Sequence, residues 1–440
     1  MIRTRSVGQW NDPKRRTPGG SGRVRPIAVL APLAIAVIAA DLVVHGLVPV
    51  ARAATNISPF ATVSLEHDSN VFMRPASAPP LEAQGITALG DTIQQYEAGL
   101  TSEFDWGAER LRLDGDGTRA LYDRFSFLDY SGYRFGGTLD WRASPVIDGS
   151  VSYDQHRYIA PFTQTLSTQL LLDTDRTAKA TVRVLVTREW RLDLTPEFDQ
   201  FDTPLPGYPD FRLRENVGTA GIDYLGFGRL TAGLRFHYSQ GRYSGIAGAT
   251  RYDQRESDLT TSYKLGGFST FSANAGYTVR DTEANPAGDV ANAGSGFAGY
   301  AGAIGRTSAF TGSLSYRRQL TAKTSAHLSL SRTLGSYAAG ANPEVGTGGA
   351  VGLDWKADPK FTVAADYSLT REQIQGGLIV AGVTNRSDYA RWGRVSIRYA
   401  ALSWLAIRPY VIWQRQTSTF LLGNFSSTIV GIDFTSHLRW

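Results

Sequence analysis

The sequence predicts an all-β fold: a transmembrane, antiparallel up-and-down β-barrel of about 18 strands, with about 16 as the nearest alternative. Three observations predict it. Segment after segment alternates apolar and polar residues with period two, no apolar run long enough for a membrane helix follows Val50, and short turns alternate with longer polar, Gly/Pro-rich connections. A chain that crosses a bilayer without helices must close its sheet, because an open edge leaves backbone amides and carbonyls without partners in hydrocarbon.

The first 53 residues stand outside that pattern. Arg3, Arg5, Lys14, Arg15, Arg16, Arg23 and Arg25 form a basic n-region, Ile27 to Val50 is apolar apart from Asp41 and His45, and Ala51-Arg52-Ala53 is an A-x-A cleavage site. Residues 1–53 therefore read as a signal peptide for Sec-type export, cut after Ala53, and residues 54–440 as the barrel. An uncleaved anchor over Ile27–Val50 is the alternative; Asp41, Pro26, Pro32 and Pro49 argue against it. Arg15-Arg16 is followed by Thr17-Pro18-Gly19-Gly20 rather than by apolar residues, so a twin-arginine signal is set aside.

Removal of this leader changes the meaning of the charge. Residues 1–53 carry eight of the 45 Lys and Arg and two of the 40 Asp and Glu, which leaves 37 against 38 and a formal net charge of −1. Net charge thus gives a nucleic-acid partner no support, and none is expected. The chain has no cysteine, which excludes a disulfide framework, thiolate metal sites and thiol catalysis.

Taken in order, the strands are legible by parity. Leu230, Ala232, Leu234, Phe236 and Tyr238 alternate with Arg229, Thr231, Gly233, Arg235 and His237. The same holds for Phe271, Ala273, Ala275, Tyr277 and Val279, and for Phe361, Val363, Ala365, Tyr367 and Leu369. Short turns fall near Gly107, Ser144, Glu189, Gly226, Gly266, Thr321, Ala357 and Ala401. Longer connections are expected at Asp68–Gly90, Ile159–Asp175, Asp202–Leu213, Tyr243–Arg251, Asp281–Gly305, Ser336–Gly346, Glu372–Ser387 and Ser418–Asn424, with Phe125–Asp129 a short exception. In a transmembrane barrel the short turns are periplasmic and the long loops extracellular.

Aromatic residues support this orientation. Phe104, Trp106, Trp141, Trp190, Phe227, Phe268, Trp355, Phe361, Trp404 and Trp440 sit beside short turns or the chain end, where an interfacial girdle belongs.

The last segment, Phe425 to Trp440, carries an address as well as a strand. Val430, Ile432, Phe434, Leu438 and Trp440 share one parity, and a terminal aromatic in phase with the apolar face resembles the β-signal of bacterial outer-membrane barrels. That resemblance implies outer-membrane lipid and the barrel-assembly machinery as partners, and the Gram-negative outer membrane as the location.

A second resemblance rests on Tyr122-Asp123-Arg124-Phe125-Ser126-Phe127-Leu128-Asp129-Tyr130-Ser131-Gly132, continuing to Leu139-Asp140-Trp141. It is similar to the tight hairpin of EpsL-type exopolysaccharide-biosynthesis barrels, a branch of the beta-barrel porin 2-like families. Ile57-Ser58-Pro59-Phe60, followed by Glu66-His67-Asp68-Ser69-Asn70-Val71-Phe72 and Arg74, resembles that family's opening strand with its D-x-N segment. What the resemblance implies is a barrel that assists polysaccharide export, with a glycan and periplasmic export components as partners and no catalytic residues. A general diffusion porin for small solutes and a non-catalytic anchor of a periplasmic secretion complex are the alternatives.

Parity places Arg110, Arg112, Arg134, Arg183, Arg235, Arg280, Arg317, Arg394, Arg398 and Arg408 on lumen faces, with Asp114, Asp140, Asp148, Asp154, Asp193, Asp223, Asp354, Asp366 and Asp433 among them. Arginine outnumbers lysine 39 to six. Its planar fork suits carboxylates and sugar hydroxyls, so these residues are the candidate substrate path; cross-strand pairing that merely holds the wall is the competing reading. Tyr158, Tyr208 and Tyr410 are candidates for stacking on sugar rings. His67, His156, His237, His327 and His437 are scattered and sit in no G-x-S-x-G or H-E-x-x-H context. Asp114-Gly115-Asp116-Gly117 lacks the ligands that complete a calcium loop. Neither an enzyme nor a cofactor is expected.

Overall fold

The period-two pattern resolves into eighteen strands in a computed structural model, which describes residues 54–437 apart from 78–87, 166–167, 205–209, 227, 246–248, 285–304, 337–341 and 379–382. The strands are β1 (Ala54–Asp68), β2 (Asp91–Trp106), β3 (Glu109–Tyr122), β4 (Tyr130–Ser144), β5 (Ile147–Ile159), β6 (Leu172–Leu185), β7 (Trp190–Thr203), β8 (Phe211–Gly226) and β9 (Leu230–Ser244). There follow β10 (Ala249–Leu265), β11 (Ser269–Ala284), β12 (Gly305–Thr321), β13 (Thr324–Ser336), β14 (Pro343–Lys356), β15 (Phe361–Leu378), β16 (Val383–Ala400), β17 (Leu405–Ser418) and β18 (Phe425–His437). Each pairs antiparallel with the next, and β18 returns to β1 from Phe60↔His437 to Asp68↔Ile429. The sheet is closed.

Two observations assign its faces. One parity carries large apolar side chains with no protein covering them: Leu234 is 60% exposed, Leu259 59% and Phe310 76%. The other parity carries polar side chains that reach over an intervening strand, as when Tyr410 Oη on β17 donates to Glu66 Oε2 on β1 at 2.7 Å. Only the concave side of a curved sheet brings next-but-one strands so close. The polar parity is therefore the lumen, and the apolar parity is the outer wall.

Val430, Ile432 and Phe434 lie on the outer wall, as their parity predicts, opposite His67, Leu65 and Val63. Exposed Trp106, Trp190, Phe268, Trp355, Phe361 and Trp404 gather at the short-turn end with half-buried Trp141. Phe227, Leu438, Trp440, Ala51 and Ala53 lie outside the described residues, as does the whole expected signal peptide.

Several strands are longer than their apolar alternation suggests. β7 and β8 leave only residues 204–210 between them, and β15 and β16 only 379–382, where loops at Asp202–Leu213 and Glu372–Ser387 were expected. A strand needs about 9–11 residues to cross a bilayer, and these four have 14 to 18. The excess projects beyond the apolar band at the loop end, where the outer face is no longer lipid-facing and apolar periodicity vanishes.

The β18–β1 seam has reinforcements of its own. Asp68 accepts a short hydrogen bond from Ser427 Oγ and another from Asn70 N at 2.8 Å, while Asn70 Nδ2 donates to Ser426 O at 3.0 Å and Arg74 O at 2.8 Å. The D-x-N segment thus clamps the first strand to the last. Lower in the seam the Tyr410 ring lies over Gly431, where any Cβ would sit 2.5 Å from its Cζ and Oη.

Tyr410→Phe is expected to leave Glu66 without its donor and to lower barrel stability by about 1–3 kcal/mol. Urea unfolding in lipid vesicles, followed by the gel-mobility difference between folded and unfolded barrel, measures it. An unchanged midpoint would show that this stitch adds nothing to closure.

Candidate functional site

The lumen is built by the inward positions of all strands, and six of the ten arginines assigned to it are ion-paired. Arg112 Nη2 lies 2.6 Å from Asp140, Arg134 Nε 3.1 Å from Asp154 and Arg183 Nε 2.6 Å from Asp148. Arg110 bridges Asp105 at 2.7 Å and Glu103 at 3.0 Å, and Arg408 holds Asp433 at 2.6 Å. These are pairs across adjacent strands or beside a short turn, the geometry that staples a wall.

Arg235 belongs to a denser group. Asp223, fully buried, accepts from Arg235 Nη2 at 3.0 Å and from Arg191 Nη2 at 2.6 Å, and Asp193 stands 3.4 Å from Arg191 Nε. Inward Gly233 makes room for the Asp223 carboxylate, which occupies the space a Cβ would take. Arg191 was missed at the sequence level, although it alternates with Trp190 and Leu192 on β7 and parity alone would have found it. Arg386, which bonds Asp388 at 2.7 Å, was missed because it fell in an expected loop.

Histidines occupy wall positions as well. His237 shares a 2.8 Å hydrogen bond with Thr219 and lies 3.2 Å from Asp258; His327 lies 3.5 Å from Asp366. Tyr158 donates to Asp175 at 2.8 Å, and Tyr410 is buried beneath the Arg394 guanidinium, 5.0 Å from its ring centroid. Tyr208 lies outside the described residues.

Toward the loop end the inner face turns apolar. Ile93, Ala120 and Tyr122 of β2 and β3 pack with Val71, Phe72, Phe125, Leu128 and Phe162 from three connections, so these loops bend into the mouth. The connection after β3 is fixed by buried Asp91, whose carboxylate accepts from the amides of Thr92, Arg124 and Phe125 at 2.7, 3.0 and 2.9 Å. Its 3-10 turn spans Ser126–Leu128. A second apolar group, Phe211, Tyr243 and Tyr252 with Ala160 and Leu171, covers the inner face of β8–β10.

The opposite side of the mouth narrows differently. β12 and β13 stop pairing at Gly312↔Arg332, although β13 and β14 stay paired to Ser336↔Pro343. Beyond that point the outer-parity residues Leu334 and Val345 are buried against Ala309, an inner-face residue of β12. Likewise Thr307 of the inner face of β12 donates to Gln375 on β15 at 3.1 Å. The loop ends of β13–β15 are therefore tucked inside β12.

Arg280 holds that tuck and is corrected accordingly: it faces inward but is only 1% exposed, so it is no open contact for a solute. Its guanidinium donates to Gly335 O at 3.0 Å, Ser336 Oγ at 2.7 Å and Tyr243 Oη at 2.6 Å, and its Cζ lies 3.5 Å above the Tyr252 ring. One side chain joins the hairpin tip to the wall at β9–β11.

Arg317 and Arg398 behave as open contacts. Both face inward, both are exposed, and neither has a carboxylate within ion-pair distance among the described residues. Each is matched by an exposed lysine two strands away in the same row: Lys264–Thr270–Arg317 across β10–β12 and Lys356–Thr362–Arg398 across β14–β16. Two strand spacings put about 10 Å between the Cα atoms of each bracket, with a threonine hydroxyl at its centre.

No family model and no curated protein matches the chain. Among the solved structures it is similar to are three proteins of Pseudomonas aeruginosa, the first of them an outer-membrane protein. OccK1 (OpdK) is 13% identical with a TM-score of 0.43, over 88% of this chain and 99% of that one. OccK2 (OpdF) is 16% identical with a TM-score of 0.45 over 88% and 99%, and OccK3 (OpdO) 14% identical with a TM-score of 0.45 over 88% and 96%. Likeness at this level concerns barrel architecture and says nothing of cargo.

Arg280→Ala is expected to release the β13–β14 tip, with amide hydrogen exchange at Gly335 and Ser336 faster by about tenfold or more, since several net hydrogen bonds are lost. Unchanged exchange there would show that the tuck is held by Leu334 and Val345 alone.

Proposed function

We propose that the protein is a non-catalytic channel of the Gram-negative outer membrane for small hydrophilic solutes, with a preference for anions. The observation that carries this reading is the contrast between neutralised and free charge in the lumen. Most inward arginines are matched by aspartates, whereas Lys264, Arg317, Lys356 and Arg398 form two uncompensated cationic brackets at the short-turn, periplasmic end. A carboxylate entering a bracket would meet two cations and a hydroxyl donor. A barrel of about 18 strands leaves an aqueous path wide enough for such solutes.

Export of a polysaccharide, which the resemblance to EpsL-type barrels implies, has less support. Its arginine path is largely spent on ion pairs, and the extracellular mouth is narrowed from two sides by the Phe72–Phe125–Phe162 group and the β13–β15 tuck. Nothing in the lumen favours an anchoring role over a channel.

Reconstitution in planar bilayers under a KCl gradient tests the reading. Wild-type protein is expected to conduct with a reversal potential on the anion-selective side. Lys264→Glu with Arg317→Glu should shift that potential toward or past zero while the barrel still assembles. Absence of conductance sinks the channel, and cation selectivity in the wild type sinks the anion preference.

A further inference from the structure

On β13–β18 the outer wall carries four arginines and no acid. Arg332, Arg371, Arg391 and Arg415 share the parity of the lipid-facing apolar residues, and all four are exposed. Arg332 lies two residues beyond Leu330, Arg371 two beyond Leu369 and Arg415 two beyond Trp413, each toward the loop end. They form a cluster along the extracellular edge of the apolar band.

Their arrangement is unfavourable by itself. Arg391 and Arg415 lie directly opposite each other in the β16–β17 ladder, a like-charge pairing that costs stability. No relief comes from the wall, because Glu344, Asp354, Asp366, Glu372, Asp388 and Asp433, the acids of these strands, all have lumen parity. Some exterior arginines are neutralised, as Arg306 is by outward Asp281 at 3.0 Å and Arg176 by outward Asp202 at 2.7 Å, whereas Arg214 and Arg242 also face each other across a ladder. Arg332 and Arg371 are positioned by neutral partners, Thr347 Oγ1 at 2.9 Å and the Tyr389 ring at 5.2 Å.

We infer that this cluster binds the phosphate groups of an anionic lipid in the outer leaflet. Guanidinium forks match phosphate geometry, and the apolar wall directly below accommodates the acyl chains of the same molecule. The missing counter-charge is thus supplied by the membrane. The inference rests on the membrane reading of the barrel, though not on what passes through it.

The test uses the full mature barrel in phosphatidylcholine nanodiscs doped with bisphosphorylated lipid A, with bound lipid counted by native mass spectrometry. Wild type is expected to retain lipid A, and Arg391→Gln with Arg415→Gln to bind it at least tenfold more weakly. Arg306→Gln, at an acid-paired site, should bind as wild type does. Equal retention by wild type and the double variant overturns the inference, as does displacement of lipid A by millimolar inorganic phosphate, which would indicate a free-anion site. Failure of the wild type to enter nanodiscs overturns the membrane reading instead.

Discussion

The structure depends on one constraint: every backbone amide and carbonyl at membrane depth must find its partner within the protein. An open sheet cannot meet it, so the first and last strands have to pair. That seam receives side-chain reinforcement of its own, from Asp68, Asn70 and Ser427 at its loop end to Tyr410 lying over Gly431 to reach Glu66. Once closure is secured, the other seventeen pairings follow chain order, and the two parities acquire their opposite solvents.

Arginine illustrates how position rather than residue type sets chemistry in this barrel. Inside, Arg112, Arg134 and Arg183 are matched by aspartates and stiffen the wall. Buried at the mouth, Arg280 replaces ionic partners with a carbonyl, two hydroxyls and an aromatic face. Outside, Arg391 and Arg415 face one another without any outward acid on their strands. Ion pairs between partly exposed groups contribute little stability individually. Their larger effect is on where free charge remains, which is what a passing or adhering anion would sense.

Much of this was legible in the sequence, and the limits have physical causes. Strand number, turn positions, lumen parity of the arginines and the short-turn aromatics follow from a rigid period of two, which a barrel obeys wherever lipid faces one side. Legibility fades above the lipid, so β7, β15 and β16 proved longer than read and Arg386 escaped notice. It fails where parity itself is overridden. Leu334 and Val345 carry outer-wall parity yet are buried, because the sheet departs from β12 and folds inward, and no local pattern announces that departure. Partner choice is equally hidden: Arg317 and Arg235 look alike in sequence, and only the neighbours across the sheet make one free and the other neutral.

The seam has a kinetic side too. Glu66 and Tyr410 are separated by 344 positions, so the edge of β1 that faces β18 can be satisfied only after the last strand has arrived. Local hairpins close quickly, whereas so distant a contact is slow to form. Until then the nascent sheet carries two unmatched edges, each a template for the wrong strand. A chain broken off before β18 would keep them permanently, which makes the docking of β18 on β1 a checkpoint for closure as much as a piece of wall.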